Sequence, residues 1–221
     1  MNMAAFPGPA PRRATHHAHW HAHANGVRPD AAMRDWLTDR MSLTKKLTAR
    51  SGSFRVRKLR QGRGMCLDDE YALVGLARRA PVQEREVLLQ CDGVPVVYAH
   101  TIVPLSATTS DWPFFGSLGE RSLGTTLFGD PRVVRGRLQY ARLFAEHPLA
   151  RRAAAALGVA ALPWPLYARR CLYRRRRGLL LVTEVFLPAI AGVRSPAAAT
   201  AAAHPAGAMP SAAAVPVAAA A

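Results

Sequence analysis

Residues 85–103 read Arg-Glu-Val-Leu-Leu-Gln-Cys-Asp-Gly-Val-Pro-Val-Val-Tyr-Ala-His-Thr-Ile-Val, two apolar runs hinged on Asp92-Gly93. An Asp-Gly pair tolerates the left-handed backbone that a tight hairpin requires. Arg85 to Cys91 and Pro95 to Val103 are therefore predicted to pair as antiparallel strands. A second hairpin follows downstream. Tyr167 to Arg174 alternates, with Tyr167, Arg169, Cys171 and Tyr173 on one face, and a basic turn at Arg175 to Gly178 leads into Leu179 to Leu187, the most apolar strand of the chain. Phe54 to Arg60 reads as an edge strand whose exposed basic residues discourage unwanted pairing. Arg132 to Tyr140 reads as a strand that Gly136 weakens.

Helices fall between these strands. Asp30 is placed to cap a helix with Met33, Trp36 and Leu37 on one stripe. Ser42 precedes Leu43 and Leu47, and Ser122 precedes Leu123, Gly124 and a short helix through Phe128, so the two Ser-Leu pairs look like twin helix starts. Pro148 suits the first turn of an Ala-rich helix running to Leu162. Two hairpins, further strands and a few helices predict an α+β domain with an antiparallel sheet.

The chain has 221 residues and a formal net charge of +16, which fits one domain with extensions. Residues 1–28, with Pro7, Pro9, Pro11 and the histidines at 16, 17, 19, 21 and 23, read as a disordered arm, and residues 195–221 as an Ala/Pro-rich disordered tail. The expected folded part is 29–194. The histidines could hold a transition metal only adventitiously, lacking a rigid frame. Cys66, Cys91 and Cys171 form no CxxC pair, which argues against a disulfide framework or structural zinc. There is no signal-peptide core and no apolar run long enough to span a bilayer, so a cytoplasmic protein is expected. The charge is mostly arginine scattered among Ala, Pro and Gly. It fits a compositional bias at least as well as a nucleic-acid surface.

Alternation exposes two misplaced charges. Arg85 shares a strand face with Val87, Leu89 and Cys91, and Glu184 shares one with Leu180, Val182 and Phe186. Buried charge costs several kcal/mol unless paired and hydrogen-bonded. Arg85 and Glu184 therefore either bridge one another or reach the sheet's rim, or they stand apart in a cavity. In the second case Arg85 suits a ligand carboxylate, because its planar fork meets one in two parallel bonds. Glu184 would then face a hydroxyl or a proton, its pKa raised by burial. The first N–H groups of the helices at Leu43 and Leu123 are candidate anion donors, although ordinary capping explains a serine there equally well. Ser42-Leu43-Thr44-Lys45 matches S-x-x-K without the accompanying motifs of penicillin-binding enzymes. No dinucleotide, Walker, zincin or G-x-S-x-G motif occurs.

Four segments in order resemble the chorismate pyruvate-lyase family. They are Asp35-Trp36-Leu37 with Ser42-Leu43-Thr44-Lys45; Arg85-Glu86-Val87-Leu88-Leu89 with Asp92-Gly93 and Val103-Pro104; Leu123-Gly124 with Leu127-Phe128; and Leu179 to Leu181 with Thr183-Glu184-Val185-Phe186-Leu187-Pro188. The resemblance implies a six-stranded antiparallel sheet with helices on one side and helical flaps over an internal cavity. It implies that Arg85 and the Leu43 and Leu123 N–H groups hold a ligand carboxylate, and that Glu184 holds the ring hydroxyl. Arg85 and Glu184 are then the catalytic pair. The reaction turns chorismate into 4-hydroxybenzoate and pyruvate for ubiquinone synthesis, with no metal, no cofactor, no nucleic acid and a monomeric protein expected. Leu43 stands where the family commonly has methionine; the role is a main-chain one. A non-catalytic effector-sensing domain of the same fold is the alternative; such sensors are expected to carry an N-terminal DNA-binding domain, and the expected arm of about 28 residues before these segments counts against it.

Overall fold

Asp92 and Gly93 adopt φ of 51° and 79°, the left-handed pair their chemistry favours, and they join β2 (Pro81–Cys91) to β3 (Val94–Pro104). In this computed structural model, which describes residues 17–193, that hairpin is the centre of the architecture. It is flanked by β1 (Phe54–Met65) on one side and on the other by β6 (Gly178–Phe186), β5 (Leu166–Arg175) and β4 (Val133–Leu143). The six strands run β1-β2-β3-β6-β5-β4, antiparallel throughout. β1 continues five residues past the expected Arg60, across a register shift between Lys58 and Arg60. Its Arg55, Arg57, Lys58 and Arg60 are exposed along the sheet's edge, as expected.

Paired residues share a face, so the register sorts the side chains. Arg85, Thr101, Val182 and Cys171 lie in one cross-strand row, and Val87, Ala99, Glu184 and Arg169 in the next row of the same face. That face is covered by α1 (Ala31–Thr38), α2 (Leu43–Thr48) and α3 (Leu123–Gly129), which contribute Trp36, Leu37, Leu43, Leu47, Leu123 and Leu127 to its two buried clusters. Each helix starts as its cap predicts: Asp30 accepts from Met33 N, Ser42 from Lys45 N and Ser122 from Thr125 N. The helices are not confined to one side, however. α4 (Pro148–Ala156) packs Leu149, Ala150 and Ala153 against Leu88, Tyr98, Ala168 and Val185 on the opposite face. Residues 66–80 cover the remainder of it around Val82, Ile102 and Leu181.

Two expected boundaries move. α4 ends at Ala156 rather than Leu162, because Gly158 takes φ 69° and Val159 N returns to Ala154 O, a left-handed glycine stop. The folded body also begins before residue 29. His21 exchanges main-chain hydrogen bonds with Tyr140, giving β4's outer edge a partner, and Ala24 and Val27 in a 3-10 turn (Ala24–Val27) are buried. Composition hid this: the histidines dominate the segment, but two small apolar residues and an unpaired strand edge decide its position. The expected arm over residues 1–16 and the expected tail lie outside the described residues. Among the described residues, no helix is long and apolar enough to cross a membrane.

Candidate active site

The face bearing Arg85 and Glu184 does not close completely. Between the sheet and helices α2 and α3 lies a cavity lined by Leu43, Arg85, Ala99, Leu123, Arg135, Arg169 and Glu184 among others, with about 640 Å³ of free space including its open mouth. All four residues singled out by sequence thus meet at one place.

Arg85 is 2 % exposed, yet no acidic side chain among the described residues pairs with it. Its Nε and Nη2 donate to Gly119 O at 3.3 and 3.0 Å, and Nη2 also donates to Arg121 O at 2.8 Å. Burial alone pulls its pKa down to about 10, still well above neutrality, so the guanidinium is charged and held by two carbonyls. Carbonyls orient it without neutralising it. Nη1 bonds to no described residue.

Glu184 stands on β6 and makes no contact with Arg85; the direct bridge is not formed. It is not solitary either, as its apolar strand neighbours implied. Arg169, directly opposite on β5, donates Nε to Glu184 Oε2 at 2.5 Å. Arg169 is itself 1 % exposed, and its Nη1 donates to Trp36 O at 2.9 Å and Asp39 O at 2.9 Å. It therefore ties the end of α1 to the floor of the cavity while fixing one oxygen of Glu184. The other oxygen, Oε1, has no bond to a described residue. Arg169 was legible in principle: alternation puts it on one face with Cys171 and Tyr173, and hairpin register puts it across from Glu184.

The N-terminal turns of α2 and α3 meet in the wall of the cavity. Thr44 Oγ1 lies 2.7 Å from Ser122 Oγ. A Cβ on Gly124 would come 3.1 Å from Ser42 Oγ and 3.2 Å from Thr44 Oγ1, so glycine permits this close approach. The Leu43 and Leu123 N–H groups are each the first of a helix and make no bond within the described residues. Cys171 also faces the cavity, but burial pushes its thiol pKa up, so it is a neutral lining residue and a poor nucleophile.

A second group of buried charges occupies the opposite face. Arg152 bridges Glu84 and Glu86, at 2.6 Å to the latter, and His100 Nε2 lies 3.1 Å from Glu70 Oε1. Burial opposes charge on His100, but Glu70 and then the Glu84–Glu86 pair overcome it and push the pKa up to about 10. Glu84, Glu86 and His100 offer ligand atoms within 4.8 Å of one another. The cations His100 and Arg152 already answer these carboxylates, and burial above all pushes the pKa of Glu84 up.

With this geometry in place, relatives sharpen the reading. A protein of Ralstonia nicotianae named "Probable chorismate pyruvate-lyase" is 47 % identical over 190 residues, covering 83 % of this chain and 89 % of the relative. One of Cupriavidus metallidurans with the same name is 46 % identical, covering 77 % and 80 % respectively. Among solved structures, the effector domain of PhnF from Mycobacterium smegmatis superposes with a TM-score of 0.45 at 20 % identity, covering 67 % of this chain and 89 % of that one. The chorismate lyase family model matches residues 14–193, a span that takes in the cavity, both flanking helices and the His21 edge, and the chain belongs to that family.

Proposed function

We propose that this cavity eliminates pyruvate from chorismate with Arg85, Leu43, Leu123 and Glu184 in contact with the substrate. Chorismate carries a ring carboxylate, an enolpyruvyl ether at C3 and a hydroxyl at C4. Breaking the C3–O bond and removing the C4 hydrogen makes the ring aromatic; the hydrogen ends on the enolpyruvyl methylene, which leaves as the methyl group of pyruvate. Atoms balance without any further reactant, and aromatisation drives the step.

In this reading the ring carboxylate sits on the free side of Arg85 and on the Leu43 and Leu123 N–H groups. Glu184 Oε1 accepts a hydrogen bond from the C4 hydroxyl at the other end of the ring. The contribution of these groups is positional: they hold the ether and the C4 hydrogen in a reactive arrangement, out of bulk water. The observation that carries the reading is a buried, charged arginine with no carboxylate partner among the described residues and a glutamate with one oxygen unused by them, both facing one cavity without bonding to each other. An anionic ring acid with a distal hydroxyl satisfies both. On this reading the chain acts as a monomer in the cytoplasm, and its positive field draws an anionic substrate; α2 and α3 act as flaps, and release of the aromatic product limits turnover.

The test is to add chorismate to the purified protein in EDTA and follow 4-hydroxybenzoate and pyruvate together. Equimolar release that survives chelation and is lost in Glu184→Ala is expected. Binding of 4-hydroxybenzoate by a folded protein that releases no pyruvate would show a sensor instead.

A further inference from the structure

Arg135 is a cavity-lining cation to which the reading above gives no task. It reaches the cavity by a local device. β4 and β5 pair Arg135 with Tyr173 and Leu138 with Cys171, so three steps on β4 match two on β5. Tyr173 and Cys171 point to the same face, and the extra residue on β4 therefore turns both Leu138 and Arg135 toward it. Without the bulge, Arg135 would point to the other face. Gly136 makes the bulge possible: a Cβ there would lie 2.8 Å from Leu172 O.

The guanidinium so placed is under-used. Its Nε is buried with no hydrogen-bond partner, no carboxylate pairs with it among the described residues, and Nη1 donates to Arg40 O. Its flank lies over Phe128, 5.3 Å from the ring centre. The charges of the lining complete the case. Arg85, Arg135 and Arg169 face one carboxylate, Glu184, and the Arg169–Glu184 pair cancels. Two unpaired cations remain, and chorismate is a dianion. Arg85 takes the ring carboxylate. Arg135 comes from β4, two strands beyond β6 and on the side away from β2, so it approaches off the line between Arg85 and Glu184, where a substituent beside C4 projects.

We propose that Arg135 binds the enolpyruvyl carboxylate, the one that departs with pyruvate. This rests on the chorismate reading. It makes Arg135 a specificity determinant: it separates the dianionic substrate from the monoanionic product, which Arg85 and Glu184 alone do not.

The experiment compares substrate and product in the same variants. In Arg135→Met, kcat/KM for chorismate should fall on the order of 100-fold, as for loss of a desolvated charge contact. The Kd of 4-hydroxybenzoate, measured by fluorescence quenching or calorimetry, should move less than threefold. Arg135→Lys should recover about tenfold of the loss, because a charge remains but the fork does not. Equal weakening of substrate and product in both variants would overturn the proposal and make Arg135 a brace for the Arg40 loop. No weakening of either would overturn it as well. Failure of the unaltered protein to convert chorismate would instead remove the reading on which it rests.

Discussion

The two faces of the sheet bury charge in opposite ways. On the face of α4, His100 is enclosed with Glu70, Glu84 and Glu86, half-buried Arg152 caps the group, and both cations have a carboxylate within reach. On the face of α2 and α3, Arg85 and Arg135 donate to main-chain carbonyls and pair with no carboxylate among the described residues, and space is left in front of them. A closed network gives back its desolvation cost within the fold. An open one withholds that compensation until a ligand arrives, which is the electrostatic signature of a binding site. Removing charge from the first face should therefore cost stability, and from the second, function.

The largest expected effect is on the open face. Arg85→Met should lower kcat/KM for chorismate on the order of 1,000-fold, about 4 kcal/mol of transition-state stabilisation, and weaken 4-hydroxybenzoate in step. Its urea midpoint should correspond to a loss of no more than about 1 kcal/mol, since the hydrogen bonds to two carbonyls are exchanged for relief of a buried charge. Next in size is the reverse case. Arg152→Met leaves Glu84 and Glu86 against each other and should cost about 3 kcal/mol in urea unfolding, with kcat/KM within twofold of the unaltered protein at 25 °C. If both variants lose stability equally, the contrast between the faces is false.

A pH titration sharpens the same contrast at a smaller scale. The folded pKa of His100, about 10 against an ordinary 6.5, is raised chiefly by Glu70 working against burial. The stability it contributes is complete below pH 6.5 and is lost as pH climbs toward 10. Burial opposes charge on Glu70 and Glu86 too, but His100 holds both low, so their share is lost only on acidification. Stability should fall by on the order of 2 kcal/mol between pH 6.5 and 9, and His100→Gln should flatten that slope. A flat profile in the unaltered protein would show that His100 is neutral.

Sequence carried the open face better than the closed one, for a physical reason. Arg85 and Glu184 were visible because alternation set them among valines and leucines, where a charge is anomalous. Arg169 lay in a strand so rich in arginine that no single one stood out, and only the register opposite Glu184 distinguishes it. Arg135 was invisible to alternation because the bulge at Gly136 breaks the period on which alternation depends; the same glycine read only as a weakness. On the closed face, Glu86 and His100 lie within the expected hairpin strands and Glu84 just before the first of them, and nothing local announced the α4 arginine that completes the group. The hairpin and the three serine or aspartate caps were legible because two to four adjacent residues decide them.

The smallest effect tests whether the open face also opens mechanically. One hydroxyl pair, Thr44 with Ser122, joins the starts of α2 and α3 in the wall of the cavity. Thr44→Val keeps the shape of the side chain and leaves Ser122 as the α3 cap, removing only the bond between the flaps, which is worth about 1 kcal/mol. If release waits on parting of the helices and limits turnover as proposed, the off-rate of 4-hydroxybenzoate should rise about fivefold and kcat should rise with it. Gly124→Ala presses a methyl group toward the hydroxyls of Ser42 and Thr44 and should act in the same direction. Stopped-flow displacement of the product reads both. An unchanged off-rate would mean that product leaves by a route that does not separate these helices, and the cavity's unpaired cations would then serve a site with a fixed mouth.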